Sequence, residues 1–110
     1  AGPPRPVFSI EAPVAMSPQA IGFRIAGTAL QPRYDTGDIV VCDRAGDSPQ
    51  SLVGREAIVI TSQGRGYLRV VRRVMRSGLV DLQAVDGRVT RAVNVAWSAA
   101  VTSVVRARRA

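Results

Sequence analysis

Short apolar runs separated by polar turns indicate a chain made of β-strands. Residues 23–25 (Phe-Arg-Ile) and 39–41 (Ile-Val-Val) are aromatic or β-branched, and a polar loop containing Pro32 and Gly37 joins them. Residues 56–61 (Glu-Ala-Ile-Val-Ile-Thr) show little alternation between apolar and polar positions. This run therefore predicts a strand that is buried on both faces.

Residues 67–75 predict a long strand, because apolar and polar positions alternate along most of the run. On this alternation Leu68, Val70 and Val74 share one face. The opposite face carries Tyr67, Arg69, Val71 and Arg73.

The rest of the chain continues the pattern of strands and turns. Residues 79–84 complete a hairpin, and Asp86-Gly87 has the composition of a tight turn. Residues 93–105 predict one or two final strands, with a bend near residues 98–99. Six or more short strands without a convincing helix predict an all-β fold, a small and partly open β-barrel-like domain.

The length of 110 residues fits one domain. Five prolines in residues 1–20 predict an extended arm rather than a helix, residues 21–106 form the predicted β domain, and residues 107–110 form a basic tail. The chain has no apolar run near the roughly 18 residues that cross a bilayer, so we expect a soluble protein without a membrane partner.

All fifteen basic residues are arginine, and the formal net charge is +7. A GC-rich genome explains such a bias more simply than a dedicated nucleic-acid surface does. Aromatic residues make up 5% of the chain, which is few for a surface that stacks bases, so Tyr34 and Trp97 are predicted to be packing residues.

The single cysteine and the absence of histidine limit the possible chemistry. Cys42 lies in an apolar run, which predicts a buried thiol in a reducing cytoplasm and excludes an internal disulfide. Without histidine the chain cannot form a His-based triad, and no zinc site or cofactor is predicted.

The loop between the first two predicted strands carries a recognisable motif. Gly27, Thr28, Ala29 and Pro32 precede the pair Gly37-Asp38 and an apolar strand. This resembles the LexA and phage-repressor peptidases and the bacterial signal peptidases, in which a Gly, a variable residue, Ser, Met, a variable residue and Pro come before Gly-Asp. Ala29 stands where the family has its nucleophilic serine. Apart from the resemblance, Gly27 and Gly37 suit turns, Pro32 stiffens the loop, and Asp38 is expected to accept from backbone amides.

The resemblance also implies a lysine on a later strand, and Arg69 is the residue that aligns with it. Arg72 aligns instead if the register is shifted. In the family a neutral lysine takes the proton of the serine hydroxyl. A guanidinium stays protonated and cannot act as this base, and alanine offers no nucleophile. The chain is therefore predicted not to be an enzyme.

What the resemblance implies for function is a carboxy-terminal dimerisation and regulatory domain of a LexA-like or phage-repressor-like transcription regulator. Such a cytoplasmic protein would bind DNA through an amino-terminal helix-turn-helix domain outside these 110 residues. Without self-cleavage it would need another inducer, such as an antirepressor protein.

The predicted interface of the homodimer is the end of the last strand, with Val101, Val104, Val105 and Arg106. These valines form an apolar segment at what we expect to be an unprotected strand edge, which pairs about a twofold axis. The alternative is that they close the barrel of a monomer.

Two other functions fit the sequence. A basic β-barrel could bind nucleic acid directly, or the chain could be a self-cleaving peptidase in which Ala29 is an engineered replacement for a native serine. In the resembled family the cleaved bond, commonly Ala-Gly, lies in the arm, and the chain begins with Ala1-Gly2.

Overall fold

The computed structural model describes residues 10–28 and 30–107, and these form an all-β fold without an α-helix. A short 3₁₀ helix, Pro49–Leu52, interrupts the strands. The strands are β1 (Ile10–Ala15), β2 (Ala20–Ile25), β3 (Ile39–Asp43), β4 (Glu56–Thr61), β5 (Gly66–Val74), β6 (Val80–Gln83), β7 (Val89–Val93) and β8 (Val95–Val105).

The strands form one antiparallel sheet in the order β1-β2-β3-β8-β4-β5-β6-β7. The sheet is not closed by hydrogen bonds into a barrel, but it curls so that β1 contacts β5. This confirms the prediction of a small, partly open β domain.

The last strand is internal to the sheet, which corrects the expectation of an unprotected edge at the end of the chain. Its first half pairs with β4, from Val95 to Ala100, and its second half pairs with β3, from Val101 to Val105. The outer strands are β1 and β7. One long strand therefore joins the two halves of the fold.

Two hydrophobic cores lie on opposite faces of β4. Ile58 packs into the first core, whereas Ala57 and Val59 pack into the second. The predicted burial of this strand on both faces is confirmed. The first core consists of Phe23, Ile25, Leu30, Tyr34, Val40, Cys42, Ile58, Leu68 and Ala99. The second consists of Leu52, Ala57, Val59, Val71, Val80, Leu82 and Ala100.

Along β5 the predicted alternation holds up to Val71 and then changes. Leu68 packs into the first core and Val71 into the second, as predicted. Val74 packs against the second core too, although the alternation had placed it with Leu68. The reason is an irregularity in the pairing with β6 between Val71 and Arg73, which shifts the following residues to the other face.

Two strands were not predicted from the sequence. β1 lies within the predicted arm and pairs with β2 as an outer strand, a position in which Pro13 is tolerated. β7 is exposed at four of its five positions and so lacks an apolar signal. Among the described residues no helix is long and apolar enough to cross a membrane.

Candidate functional site

The motif loop, residues 26–38, is closed by backbone hydrogen bonds between its two ends. Ile25 N donates to Asp38 O at 2.7 Å, and Gly37 N donates to Ile25 O at 2.9 Å. Gly27 and Gly37 have φ angles of +69° and +93°, a region that L side chains rarely adopt. The predicted turn roles of both glycines are confirmed, and the Gln31-Pro32 peptide bond is cis.

Two side chains of the loop are anchored in the first core. Leu30 is 1% exposed and Tyr34 is 4% exposed. These two side chains therefore hold residues 30–34 of the loop against the domain. The prediction that Tyr34 is a packing residue is confirmed, and Trp97 likewise packs against this core, with its ring 5.8 Å from that of Phe23.

Asp38 joins the motif loop to the end of β8. Its carboxylate accepts hydrogen bonds from Ala107 N at 2.6 Å, from Asp35 N at 3.0 Å and from Arg106 Nη1 at 3.0 Å. The two backbone donors and the guanidinium hold the pKa of Asp38 below its ordinary value, against the opposing effect of burial. The predicted role of Asp38 as an acceptor for backbone amides is confirmed. Ala107, placed in the tail by the sequence, is tied to the fold by this contact.

A second charged group lies beside the first, formed by Arg33, Tyr34 and Glu56. The Arg33 guanidinium donates twice to the Glu56 carboxylate, at 2.8 and 3.1 Å, and the Tyr34 hydroxyl donates to it as well. Burial first, and the bond to Glu56 second, raise the pKa of Tyr34 to about 12. The guanidinium carbons of Arg33 and Arg106 lie 5.5 and 5.4 Å from the centre of the Tyr34 ring, within cation–π range.

An open cleft of about 1120 Å³ lies beside the loop. The loop from Leu30 to Tyr34 forms one wall, and the end of β6 with the turn that follows it, residues 83–86, forms another. Glu56, Val70 and Arg106 also line it. The cleft presents both apolar groups and charges that are already paired.

Of the positions that align with the family dyad, the structure describes Arg69 and its alternative Arg72. Ala29 lies outside the described residues, as does the Ala1-Gly2 pair. Arg69 lines a different cavity, and the β5 residue that lines the cleft beside the loop is Val70. Arg72, the alternative to Arg69, is exposed at the irregular pairing of β5 and β6. The matching of Ala29 and Arg69 to the dyad stays a prediction.

The predicted interface residues differ in their surroundings. Val101 and Val104 are partly buried against the first core, whereas Val105 is 48% exposed. Arg106 is bound to Asp38 and to the carbonyl oxygen of Arg33. Only Val105 of this group offers a large apolar surface to a partner.

The contacts around Glu56 were not predicted from the sequence. The signal available was the one acidic residue at the start of a buried strand, since a carboxylate there needs a partner. The partner, Arg33, is distant along the chain, so the pair could not be read from spacing.

Comparison with known proteins gave no match: no family model, no curated protein and no solved structure matches the chain. Among the described residues, no group of three or more His, Cys, Asp or Glu side chains could hold a metal ion. Cys42 is fully buried as predicted, and burial raises the pKa of its thiol to about 12, which leaves it unreactive.

Proposed function

We propose that this domain is a non-proteolytic association and regulatory module of a transcription regulator of the LexA or phage-repressor type. The motif loop supports the choice of family, and the chemistry of the adjoining cleft supports the absence of proteolysis. The dimer, the DNA-binding domain outside the chain and the possible antirepressor partner rest on the motif resemblance.

The observation that carries the proposal is Val70, the β5 residue that lines the cleft beside the loop. A Ser/Lys mechanism needs a neutral amine within hydrogen-bond reach of the nucleophile. Val70 offers no base, and the chain has no lysine. The arginines of the cleft, Arg33 and Arg106, are paired with Glu56 and Asp38 and keep their protons.

What remains in the cleft suits binding without chemistry. Val70, Val85 and Val104 give apolar surface, while the side-chain amides of Gln31 and Gln83 can hydrogen-bond to a peptide backbone. An extended segment of a partner, or of the same regulator, is the class of ligand that fits.

Incubation at pH about 10 tests the absence of proteolysis, because a peptidase of this type cleaves itself when its lysine is deprotonated. The chain, followed by mass spectrometry, should remain intact. Ala29→Ser should also stay intact, because the chain has no lysine. The double variant Ala29→Ser/Arg69→Lys should stay intact too, because residue 69 lines a different cavity from the cleft beside the motif loop. A discrete fragment cut within residues 1–20 of the wild type would contradict the proposal.

Sedimentation velocity at micromolar concentrations tests association. We expect a homodimer, and Val105→Arg should weaken it at least about tenfold, because a charge buried at an interface is costly. Val105 is a better target than Val101, whose partly buried side chain packs against the first core. Val53→Arg, at a residue 49% exposed, is the matched control. A monomer at all concentrations would rule out the dimerising role.

Direct nucleic-acid binding is the second candidate, and the observation in its favour is a row of exposed arginines on the β5–β6 hairpin. Arg72, Arg73 and Arg76 are all exposed. Arginines on one hairpin contact phosphates without reading sequence, so we expect weak duplex binding that falls steeply as salt rises. Sub-micromolar, sequence-selective binding measured by fluorescence anisotropy at physiological salt would make this candidate the leading one.

A further inference from the structure

A second cavity, of about 340 Å³, lies on the other face of β5. Its floor includes Leu82, which is 1% exposed, and its sides come from the β4–β5 turn, from β7 and from Asn94 between β7 and β8. The volume is at the lower end of the range for small-molecule sites. The cavity shares no lining residue with the cleft of the motif loop.

Arg69 is one of the two cations that line this cavity. The side chain is half-buried, its guanidinium carbon lies 5.0 Å from the centre of the Tyr67 ring, and its Nη1 donates to the carbonyl oxygen of Leu68 at 3.1 Å. These contacts fix the guanidinium and leave most of its donors unused. Burial lowers the pKa of Arg69, which shows that the cation has lost part of its hydration.

Other donors converge on the same space. Arg65 brings a second guanidinium, and Ser62, Thr90 and Asn94 bring hydroxyl and amide groups. The β4–β5 turn is held in place because Arg65 N donates to Thr61 Oγ1 at 3.2 Å and Ser62 N donates to Asn94 O at 2.9 Å. These hydrogen bonds therefore hold in place the turn that carries Ser62 and Arg65.

No carboxylate compensates these cations at contact distance among the residues that line the cavity. Two acidic residues lie nearby, and their contacts are with other groups, although the charge of Asp86 acts on Arg69 from a distance and raises its pKa against the larger effect of burial. Asp86 is paired with Arg88 at 3.0 Å. Asp81 accepts from Ala92 N at 2.9 Å and lies 3.7 Å from Arg91.

The backbone at Ala92 is the other unusual feature of the cavity. Its φ angle is +58°, the only positive value for a non-glycine residue in the described part of the chain. The hydrogen bond to Asp81 holds this conformation, which is costly for a residue with a side chain. Ala92 is a lining residue, so the strained backbone is part of the cavity wall.

We propose that this cavity binds a small ligand that carries an oxyanion, a carboxylate or a phosphate, held by Arg69 and Arg65. A planar guanidinium binds two oxygens of either group at once, and a partly dehydrated cation gains most from such a partner. The hydroxyl and amide donors complete the shell around the anion, and the Tyr67 ring offers apolar contact to the rest of the ligand. The site is independent of the proposed regulatory function.

Heteronuclear NMR titration of the 110-residue chain, at constant ionic strength, tests the proposal with two probes, inorganic phosphate and succinate. We expect saturable shifts of the backbone amides of Ser62, Arg69 and Asn94, with a dissociation constant near or below about 1 mM for at least one probe. Tighter binding of phosphate identifies a phosphorylated ligand, and tighter binding of succinate identifies a carboxylate.

Two variants and one control separate a site from general charge. Arg69→Gln and Arg65→Gln should each weaken binding about tenfold, the effect of one lost charged hydrogen bond. Arg72→Gln removes the same charge from an exposed position on the same strand and should change binding less than twofold. Equal weakening by all three variants, or shifts that do not saturate or lie elsewhere, would overturn the proposal. If Arg69→Gln does not fold, the wild-type shift map and Arg65→Gln decide the question.

Discussion

The arginines beside the motif loop and those of the second cavity differ in their partners. Arg33 and Arg106 are paired with Glu56 and Asp38 at 2.8 and 3.0 Å. Arg69 has a ring and a carbonyl oxygen as contacts but no carboxylate. The same residue type is therefore structural in one region and available to a ligand in the other.

The difference follows from topology. The motif loop, the start of β4 and the end of β8 meet at one place, where Asp38 is 1% exposed and must be satisfied by donors from the chain. The second cavity lies where β7 and the β4–β5 turn surround Leu82 without an acidic side chain among the lining residues that the structure describes. Three predictions test this contrast, from the largest expected effect to the smallest.

Removal of the Asp38 carboxylate should have the largest effect. Asp38→Ala leaves the backbone amides of Asp35 and Ala107 without their acceptor and releases Arg106, so we expect a loss of about 2–4 kcal/mol in the free energy of unfolding. Urea denaturation measures it. Asp86→Ala is the control, since it breaks an exposed ion pair and should cost less than about 1 kcal/mol.

The effect of Asp38 should also depend on pH. Because the folded-state pKa is lowered, its contribution is complete above the ordinary pKa of Asp, about 4, and is lost as the pH falls through the lowered value. The stability difference between wild type and Asp38→Asn should therefore shrink below pH about 4. A constant difference from pH 6 to pH 2 would contradict this assignment.

Much of this region was visible in the sequence, whereas the second cavity was not. The sequence Gly-Asp before an apolar strand predicts both the turn at Gly37 and the role of Asp38, because both depend on neighbouring residues in the chain. The partners of Asp38 at the end of β8 could not be predicted, since they depend on which strand pairs with β3. The cavity around Arg69 depends on β7, whose exposed positions carry no periodic signal, and on the irregular backbone at Ala92.

The next largest effect is expected for the contribution of Tyr34 to stability, which should be lost in alkaline solution. Its folded-state pKa is raised to about 12 from an ordinary value of 10.0, so its contribution to stability is complete below pH 10 and is lost as the pH rises through about 12. At neutral pH, Tyr34→Phe should lose about 1 kcal/mol, the value of one hydrogen bond. The stability difference between wild type and this variant should close between pH 10 and pH 12.

Absorbance titration gives a direct measurement of that pKa. The chain has two tyrosines, so Tyr67→Phe leaves Tyr34 as the only phenol. A midpoint near 10 in the folded Tyr67→Phe variant would contradict the buried, hydrogen-bonded position of Tyr34.

The smallest effects are expected when glutamine replaces one arginine of each region, Arg106 beside the motif loop and Arg69 in the second cavity. Arg106→Gln removes the partner of a buried carboxylate, and we expect a loss of about 1 kcal/mol, because the Arg106 side chain is 60% exposed and its ion pair is screened by solvent. Arg69→Gln removes a half-buried cation that has no carboxylate in contact with it. The variant loses the contact with the Tyr67 ring, but it no longer carries the cost of burying a charge. The free energy of unfolding should therefore change by less than about 0.5 kcal/mol. Urea denaturation of both variants at pH 7 measures the contrast. If Arg69→Gln is the more damaging of the two, Arg69 supports the fold, and its freedom to bind an anion would have to be measured in Arg69→Lys, which keeps the charge.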